Sequence, residues 1–159
     1  MKRLLKYLVH ITFIVYLYLL FIVLFDRPSG TEKLPIMVYL SYSVNLIPFK
    51  TIIDYMLALF DGSMGIGTAI DNLSANLLVF MPMGVYLPYY FKNKLSFKKC
   101  FLILIGMVFS VEILQLILRS GYFDIDDIIL NVLGGIIGYL IFKSPLGQKL
   151  YNILFNSFE

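Results

Sequence analysis

The sequence predicts an all-α, multi-pass membrane protein with four transmembrane helices and one additional interfacial or re-entrant segment. Hydrophobic residues make up 60% of the 159 residues and charged residues only 14%, whereas a soluble domain is roughly 45–50% apolar and about 25% charged. The apolar residues also form separate runs long enough, at ~1.5 Å per residue, to cross a ~30 Å hydrocarbon core. We therefore expect a protein of the cell membrane, with membrane lipids as partners.

The first apolar run, 5–25, follows the basic residues Lys2, Arg3 and Lys6. A basic start followed by an apolar core is also typical of a signal peptide. Here the core is too long, and no pair of small residues follows it as a cleavage site. We interpret it as an uncleaved first span, followed by a polar loop at 26–33.

The next stretch, 34–60, has mixed polarity. Pro48, Lys50 and Asp54 make a clean membrane crossing unfavourable. Apolar residues at 47, 49, 52, 53 and 56 would share one face of a short helix, so we predict an interfacial or re-entrant segment at 45–58. Turn-forming residues follow at 61–67.

The remaining spans are predicted at 70–91, 100–118 and 124–142, and Pro82 and Pro88 are expected to kink or end the first of these. A lysine-rich loop lies at 92–99. This divides the chain into a first helix with an exterior loop at 1–33, a core at 34–143 and a cytoplasmic tail at 144–159.

Lysine and arginine placement predicts the orientation. With the N-terminus inside the cell, the basic N-terminal residues, the 92–99 loop and the residues after 142 are all cytoplasmic. Most basic residues are then inside, and both termini are cytoplasmic. The acidic residues fall almost entirely on the opposite, exterior side.

Polar residues recur at one depth in three of the predicted spans. Glu112, Gln115 and Arg119 have i, i+3, i+7 spacing and so share one helical face. Asn76 and Asn131 lie in neighbouring spans at a similar depth, roughly 10 Å below the exterior boundary. Because polar groups in spans usually face the bundle interior, the sequence predicts a shared polar pocket that opens to the exterior.

The fourth span opens with Asp124, Asp126 and Asp127. A solvated helix start explains part of this pattern, because aspartates favour the N-cap and the first turn. Arg119, five residues earlier, is an expected counter-ion. A network that only fixes helix packing, with Glu112 bonded to Arg119 or Asn131, is the alternative to a ligand site.

Several function classes are disfavoured. The net charge is +3 and no basic cluster is interleaved with aromatics, which disfavours nucleic acid as a partner. One cysteine and one histidine exclude an internal disulfide, a paired-cysteine motif and a multi-histidine metal site within one chain. We expect no cofactor and no metal.

Four stretches carry a family resemblance: NLIPF at 45–49, NLLVFMPMGVYLP at 76–88, SVEILQ at 110–115, and the segment from Arg119 to Tyr139. Together they resemble the VanZ-like family, named for an accessory protein of glycopeptide-resistance clusters. The resemblance covers about residues 45–140. It carries over to the motif positions Asn45, Asn76, Pro82, Gly84, Glu112, Gln115, Arg119, Asp124, Asp127, Asn131 and Gly135.

The resemblance implies a cell-envelope role with lowered susceptibility to teicoplanin, a lipid-tailed glycopeptide. We expect a lipid-linked cell-wall precursor or a lipoglycopeptide to bind at the predicted pocket through Asn45, Asn76, Gln115, Arg119 and Asn131. One alternative is a hydrolase or transferase with Glu112, Asp127 and Asp124 as its acid and base groups. Another is a small transporter or flippase that acts as a homodimer through the glycines of the fourth span.

Overall fold

The computed structural model describes residues 2–26, 34–61 and 66–155. Most of the predicted loop at 26–33 and of the predicted turn at 61–67 lies outside the described residues. The elements in chain order are α1 (Lys2–Phe25), α2 (Ile36–Ser43), β1 (Val44–Asn45), α3 (Lys50–Asp61), α4 (Ile66–Val79), α5 (Met81–Tyr90), α6 (Phe97–Leu118), β2 (Phe123–Asp124), α7 (Ile125–Lys143) and α8 (Pro145–Phe155).

Four helical segments are long and apolar enough to cross a membrane. They are Arg3–Phe25, Gly67–Tyr90, Phe97–Leu118 and Ile125–Lys143. Each boundary lies within about three residues of the prediction, an ordinary difference for helix ends. The predicted all-α, multi-pass fold is confirmed, whereas its orientation and its division at 33 and 143 stay predictions.

The second span is broken at Phe80, where α4 ends and α5 begins. Pro82 explains the break, because it lacks a backbone N–H and its ring would clash with the carbonyl four residues earlier. The predicted kink is confirmed at Pro82. Pro88 lies inside α5, which continues to Tyr90.

Helix α7 is the centre of the bundle: half of its most apolar window is buried, against 6% for α1. Glycines of α7 allow the second span to approach this helix closely. A Cβ on Gly134 would lie 1.8 Å from the carbonyl oxygen of Leu77, and one on Gly138 would lie 1.9 Å from that of Met81. The glycine face of α7 therefore packs against the second span of the same chain. The homodimer stays a prediction.

Aromatic side chains hold α1 against α5. The ring centroids of Phe13 lie 4.8 Å from those of both Tyr86 and Tyr90. The Tyr16 hydroxyl donates a 2.9 Å hydrogen bond to the carbonyl of Val79 in α4. These tyrosines are packing residues. Their contacts place the middle of α1, around Phe13 and Tyr16, beside the second span.

Helix α3 overlaps the segment at 45–58 that was predicted to be interfacial or re-entrant, and its position relative to the membrane stays a prediction. Its side chains Ile53, Met56, Leu57 and Phe60 are exposed on the chain. An apolar face left uncovered by protein is expected of a helix that lies against lipid. α3 is not one of the four candidate spans within the described ranges.

Four elements were not predicted from the sequence. β1 and β2 form a two-residue parallel pair, Val44 with Phe123 and Asn45 with Asp124. α2 precedes β1, and α8 occupies the predicted tail. α8 is anchored where Tyr151 packs against Phe142, with ring centroids 5.5 Å apart.

Candidate functional site

A polar cavity of about 480 Å³ lies where α1, α3, α4 and α6 meet the N-terminal end of α7. The predicted orientation places this end of α7 at the exterior side. The lining residues are Val23, Leu24, Thr51, Tyr55, Asn72, Ala75, Asn76, Val79, Glu112, Gln115, Ser120, Gly121, Tyr122, Asp124, Asp127 and Asn131.

Glu112 extends the buried face of α6. Leu104, Val108 and Glu112 follow one another at four-residue spacing and are all buried, and Glu112 is only 3% exposed. Its Oε2 atom accepts a 3.3 Å hydrogen bond from the backbone N–H of Asp124. The packing-network alternative had named Arg119 or Asn131 as the partner of Glu112, so this donor was not predicted.

Asp124 is the N-cap of α7, as predicted. Its Oδ1 atom accepts a 2.9 Å hydrogen bond from the backbone N–H of Asp126. Its Oδ2 atom accepts hydrogen bonds from the Thr51 hydroxyl at 2.5 Å and from the Asn45 side-chain amide at 3.2 Å. The carboxylate is therefore held between α7, α3 and β1.

Asp126 contradicts the prediction of a solvated helix start, because its side chain is fully buried at 0% exposure. Its two carboxylate oxygens accept hydrogen bonds from the backbone N–H groups of Phe49 at 2.5 Å and Ile52 at 3.1 Å. The first N–H groups of a helix lack intrahelical partners and favour negative charge. Asp126 thus caps α3 from a neighbouring helix, a role that sequence spacing did not reveal.

Asp127 connects the second and fourth spans. Its Oδ1 atom accepts a hydrogen bond from the side-chain amide of Asn76 on α4. One turn further along α7, the Asn131 amide donates a 2.8 Å hydrogen bond to the backbone carbonyl of Asp127. The structure therefore brings Asn76, Glu112 and Asn131 to one cavity, together with Asp127.

Asn131 presents an acceptor without a donor. It is 3% exposed, and among the described residues no group donates a hydrogen bond to its Oδ1 atom. The amide cannot be turned round, because its NH₂ group must face the Asp127 carbonyl. Buried acceptors usually have a partner, so this oxygen is an unsatisfied polar atom of a residue that lines the cavity.

Two further amides line the cavity. The Gln115 Nε2 atom donates a 2.8 Å hydrogen bond to the carbonyl of Leu24, which ties α6 to α1. The Asn72 amide donates a 2.8 Å hydrogen bond to the Thr68 carbonyl. Both amide groups are therefore held by backbone carbonyls of the bundle.

Arg119 and Asn45 are not among the described lining residues, although both were predicted to bind ligand. Arg119 adopts a left-handed conformation, φ 54°, as the C-cap of α6. Its guanidinium donates a 2.9 Å hydrogen bond to the Leu34 carbonyl and lies 4.9 Å from the Tyr39 ring centroid. The turn therefore takes its side chain off the helical face that carries Glu112 and Gln115.

The described lining residues carry three carboxyl groups, on Glu112, Asp124 and Asp127, and no lysine, arginine or histidine. Burial raises the pKa of the nearby Tyr55 hydroxyl, and the charges of Asp127 and Asp124 add to the rise. Tyr55 is thus a hydrogen-bond donor at neutral pH. Over the described ranges, no group of three or more His, Cys, Asp or Glu side chains is arranged to hold a metal ion.

Comparison with known proteins identifies the family. The sequence model described as VanZ/LLP1 matches residues 12–150. Protein VanZ of Enterococcus faecium is 32% identical over 77 residues, which cover 46% of this chain and 47% of that protein. The chain therefore matches about half the length of this curated relative.

No solved structure gives a significant match to the chain. The family match spans most of the sequence and includes α3 to α7, which surround the cavity. Together with the four candidate spans, it establishes a multi-pass membrane protein of a family linked to glycopeptide resistance. The chain belongs to the VanZ/LLP1 family.

Proposed function

We propose that the cavity binds the polar head group of a lipid-linked or amphiphilic envelope molecule at the exterior side of the membrane. By holding such a molecule, the protein lowers susceptibility to teicoplanin and related lipoglycopeptides. The observation that carries this proposal is the cavity itself, in which polar side chains from three spans surround about 480 Å³.

The energetic cost of these residues supports a binding role. An ionisable side chain near the centre of a membrane helix costs about 2.5–3.5 kcal/mol on insertion scales, and less towards the interface. A packing network would be cheaper with apolar residues. Here the network also leaves a space of about 480 Å³, which a network that only fixes packing does not require.

An enzyme that acts on a lipid-linked precursor is the second candidate. It is favoured by one observation: Glu112 and Asp127 line the same cavity. Acid–base catalysis requires such groups within reach of one substrate. Asp124 suits this role less well, because its carboxylate already accepts hydrogen bonds from Thr51, Asn45 and the backbone of Asp126.

Drug susceptibility of a sensitive host tests the proposal. Expression of the chain should raise the teicoplanin concentration needed to stop growth and should leave the response to vancomycin, which has no lipid tail, unchanged. Asp127→Asn should reduce the effect. Asp54→Asn is the matched control, because it removes the same charge from an exposed site on α3 paired with Lys50. An equal loss in both variants, or no effect of the chain, would contradict the proposal.

A further inference from the structure

We infer that α8 is a membrane-surface helix whose exposed apolar side enters the bilayer below the head groups of anionic phospholipids. The sequence alone predicted a cytoplasmic tail in this region. With 11 residues at ~1.5 Å per residue, α8 is too short to cross a ~30 Å hydrocarbon core, so it lies along the membrane surface or projects from it. The inference is independent of the proposed function of the cavity, which lies at the opposite end of α7.

Helix α8 begins at the boundary of the membrane. The span α7 has 19 residues and ends at Lys143, so at ~1.5 Å per residue it is just long enough to cross the hydrocarbon core. Its last apolar side chains, Leu140 and Ile141, are exposed, as expected of a surface that faces lipid. Only Ser144, with an extended backbone, separates α7 from α8. The first turn of α8 therefore begins where the lipid-facing surface of α7 ends.

Contacts with two spans hold α8 against the end of the bundle. Tyr151 is buried, and its ring centroid lies 5.5 Å from that of Phe142 and 6.3 Å from that of Tyr89. A Cβ on Gly147 would lie 2.4 Å from the carbonyl oxygens of Ile141 and Phe142, so the backbones of α7 and α8 approach closely. Tyr89 and Phe142 belong to the last turns of their spans. These contacts keep α8 at the depth of the span ends instead of letting it project into water.

An apolar side of α8 lies next to the side that contacts the bundle. Leu146, Leu150 and Ile153 have i, i+4, i+7 spacing and so share one helical face, on which they are 68%, 54% and 48% exposed. Lys149 and Asn152 are exposed on a third side. A helix with this division, held at the membrane boundary, places its apolar side among acyl chains and its polar side in water.

The charge at this end of the bundle complements anionic head groups. Exposed lysines of the described chain at this end are Lys92, Lys94, Lys98, Lys99 and Lys149. The Asn93 amide donates a 2.6 Å hydrogen bond to the side-chain oxygen of Gln148, which joins the lysine-rich loop to α8. Neither the 92–99 loop nor α8 contains an aspartate or a glutamate. Because lysines near a membrane attract anionic lipids, the partner that fits this surface is a bilayer containing anionic phospholipid.

Single tryptophans test the position of α8 in the full-length chain, because the sequence contains no tryptophan. Leu150→Trp places one on the apolar side, and Asn152→Trp is the matched control on the polar side. Both purified variants are reconstituted in vesicles of phosphatidylcholine and phosphatidylglycerol, with bromine on the acyl chains or acrylamide in the water as quencher.

Fluorescence of the Leu150→Trp variant should be quenched several-fold more strongly by brominated lipid than that of Asn152→Trp. It should also be quenched less by acrylamide and have its emission maximum at a shorter wavelength. Equal quenching of the two variants by acrylamide would overturn the inference. If Leu150→Trp does not fold, Leu146→Trp makes the same test one turn earlier.

A second copy of the chain or a soluble protein is the alternative occupant of the apolar side. Vesicles that hold only the purified chain contain no soluble partner, so a side that serves one would stay accessible to acrylamide. Protection that disappears as the ratio of lipid to protein is raised would assign the side to a second copy. Either result would contradict insertion into lipid.

Phospholipid retained by the chain tests the charge. After extraction from vesicles with equal amounts of phosphatidylglycerol and phosphatidylcholine, native mass spectrometry should find phosphatidylglycerol enriched on the protein. Lys149→Gln should lower this enrichment by up to about fivefold, the scale expected for one lysine near an anionic surface. Lys50→Gln is the control, because Lys50 lies towards the other end of the bundle and is paired with Asp54. Equal retention of the two phospholipids, or an equal loss in both variants, would contradict the choice of an anionic lipid.

Discussion

The carboxylate of Asp126 accepts a 2.5 Å hydrogen bond from the backbone N–H of Phe49, 77 residues earlier in the chain. A second hydrogen bond, from the N–H of Ile52, engages the other carboxylate oxygen. The pair fixes the start of α3 against the start of α7. Because Thr51 and Tyr55 of α3 line the cavity, this contact positions one wall of the candidate site.

Replacement of Asp126 should loosen that wall. Asp126→Ala leaves two N–H groups of α3 without their acceptor, and we expect a loss of about 2–4 kcal/mol in unfolding free energy from the missing cap and unmade hydrogen bonds. Asp126→Asn keeps one acceptor oxygen and should lose less. Reversible unfolding in detergent measures both changes.

The control for this prediction is Asp54→Ala on α3. Asp54 is exposed and forms an ion pair with the exposed Lys50, so its removal should change stability little. If Asp126→Ala and Asp54→Ala behave alike, the buried cap is not a stabilising contact.

Glycine substitutions should separate packing from helix propensity. Gly134→Ala places a Cβ 1.8 Å from the Leu77 carbonyl, whereas a Cβ on Gly106 in α6 meets no atom within 4 Å. We expect Gly134→Ala to lower the melting temperature or prevent folding, and Gly106→Ala to be neutral or to stabilise by up to about 1 kcal/mol. Thermal unfolding of detergent-purified variants compares them. Tolerance of Gly134→Ala would rule out the described approach of α7 to α4.

Glu112→Gln should distinguish binding from acid–base catalysis. The glutamine oxygen can still accept the hydrogen bond from Asp124, so we expect the variant to fold and to keep a weakened effect on teicoplanin susceptibility. Glu112→Leu leaves the Asp124 N–H unpaired at a cost of about 1–3 kcal/mol. Growth assays and membrane levels of each variant are the measurements. Complete loss of the effect in a fully inserted Glu112→Gln protein would favour the enzyme hypothesis instead.

Arg119→Lys should affect stability more than ligand binding. Lysine keeps the positive charge but cannot reproduce the planar stacking on Tyr39. We expect a lower melting temperature and, at equal membrane levels of the protein, an unchanged effect on teicoplanin susceptibility. A large loss of that effect with unchanged stability would indicate that Arg119 contacts the ligand.

A reporter fused after Lys94, between α5 and α6, tests the orientation. The positive-inside rule predicts a cytoplasmic signal at this lysine-rich loop. The same end of the bundle carries Lys143, whose Nζ atom donates a 2.5 Å hydrogen bond to Asn93. A periplasmic or extracellular signal would place the cavity on the cytoplasmic side and exclude an exterior ligand.

The sequence predicted the spans well because an apolar run of sufficient length has few alternatives to crossing the membrane. It also predicted that Asn76, Glu112 and Asn131 would meet, since a shared depth and face follow from helical periodicity. Helical periodicity does not predict the direction of a side chain beyond the last helical residue. Arg119 has the correct spacing, but its left-handed backbone turns the side chain away.

Other features depend on contacts between distant segments. The role of Asp126 requires the start of α3 to lie beside α7, and the β1–β2 pair requires the same approach. No local pattern in the sequence encodes either contact. The short helices α2 and α8 were missed for a simpler reason: each is too short to give a clear periodic signal.

The most direct test of the candidate site is an experimental map of the chain in lipid nanodiscs, obtained by electron microscopy with a bound antibody fragment. The account predicts non-protein density in the cavity, with a polar group within hydrogen-bonding distance of Asn131 Oδ1. A cavity that is closed by side chains, or that holds only an acyl tail with no polar contact to Asn131, Glu112 or Asp127, would contradict it.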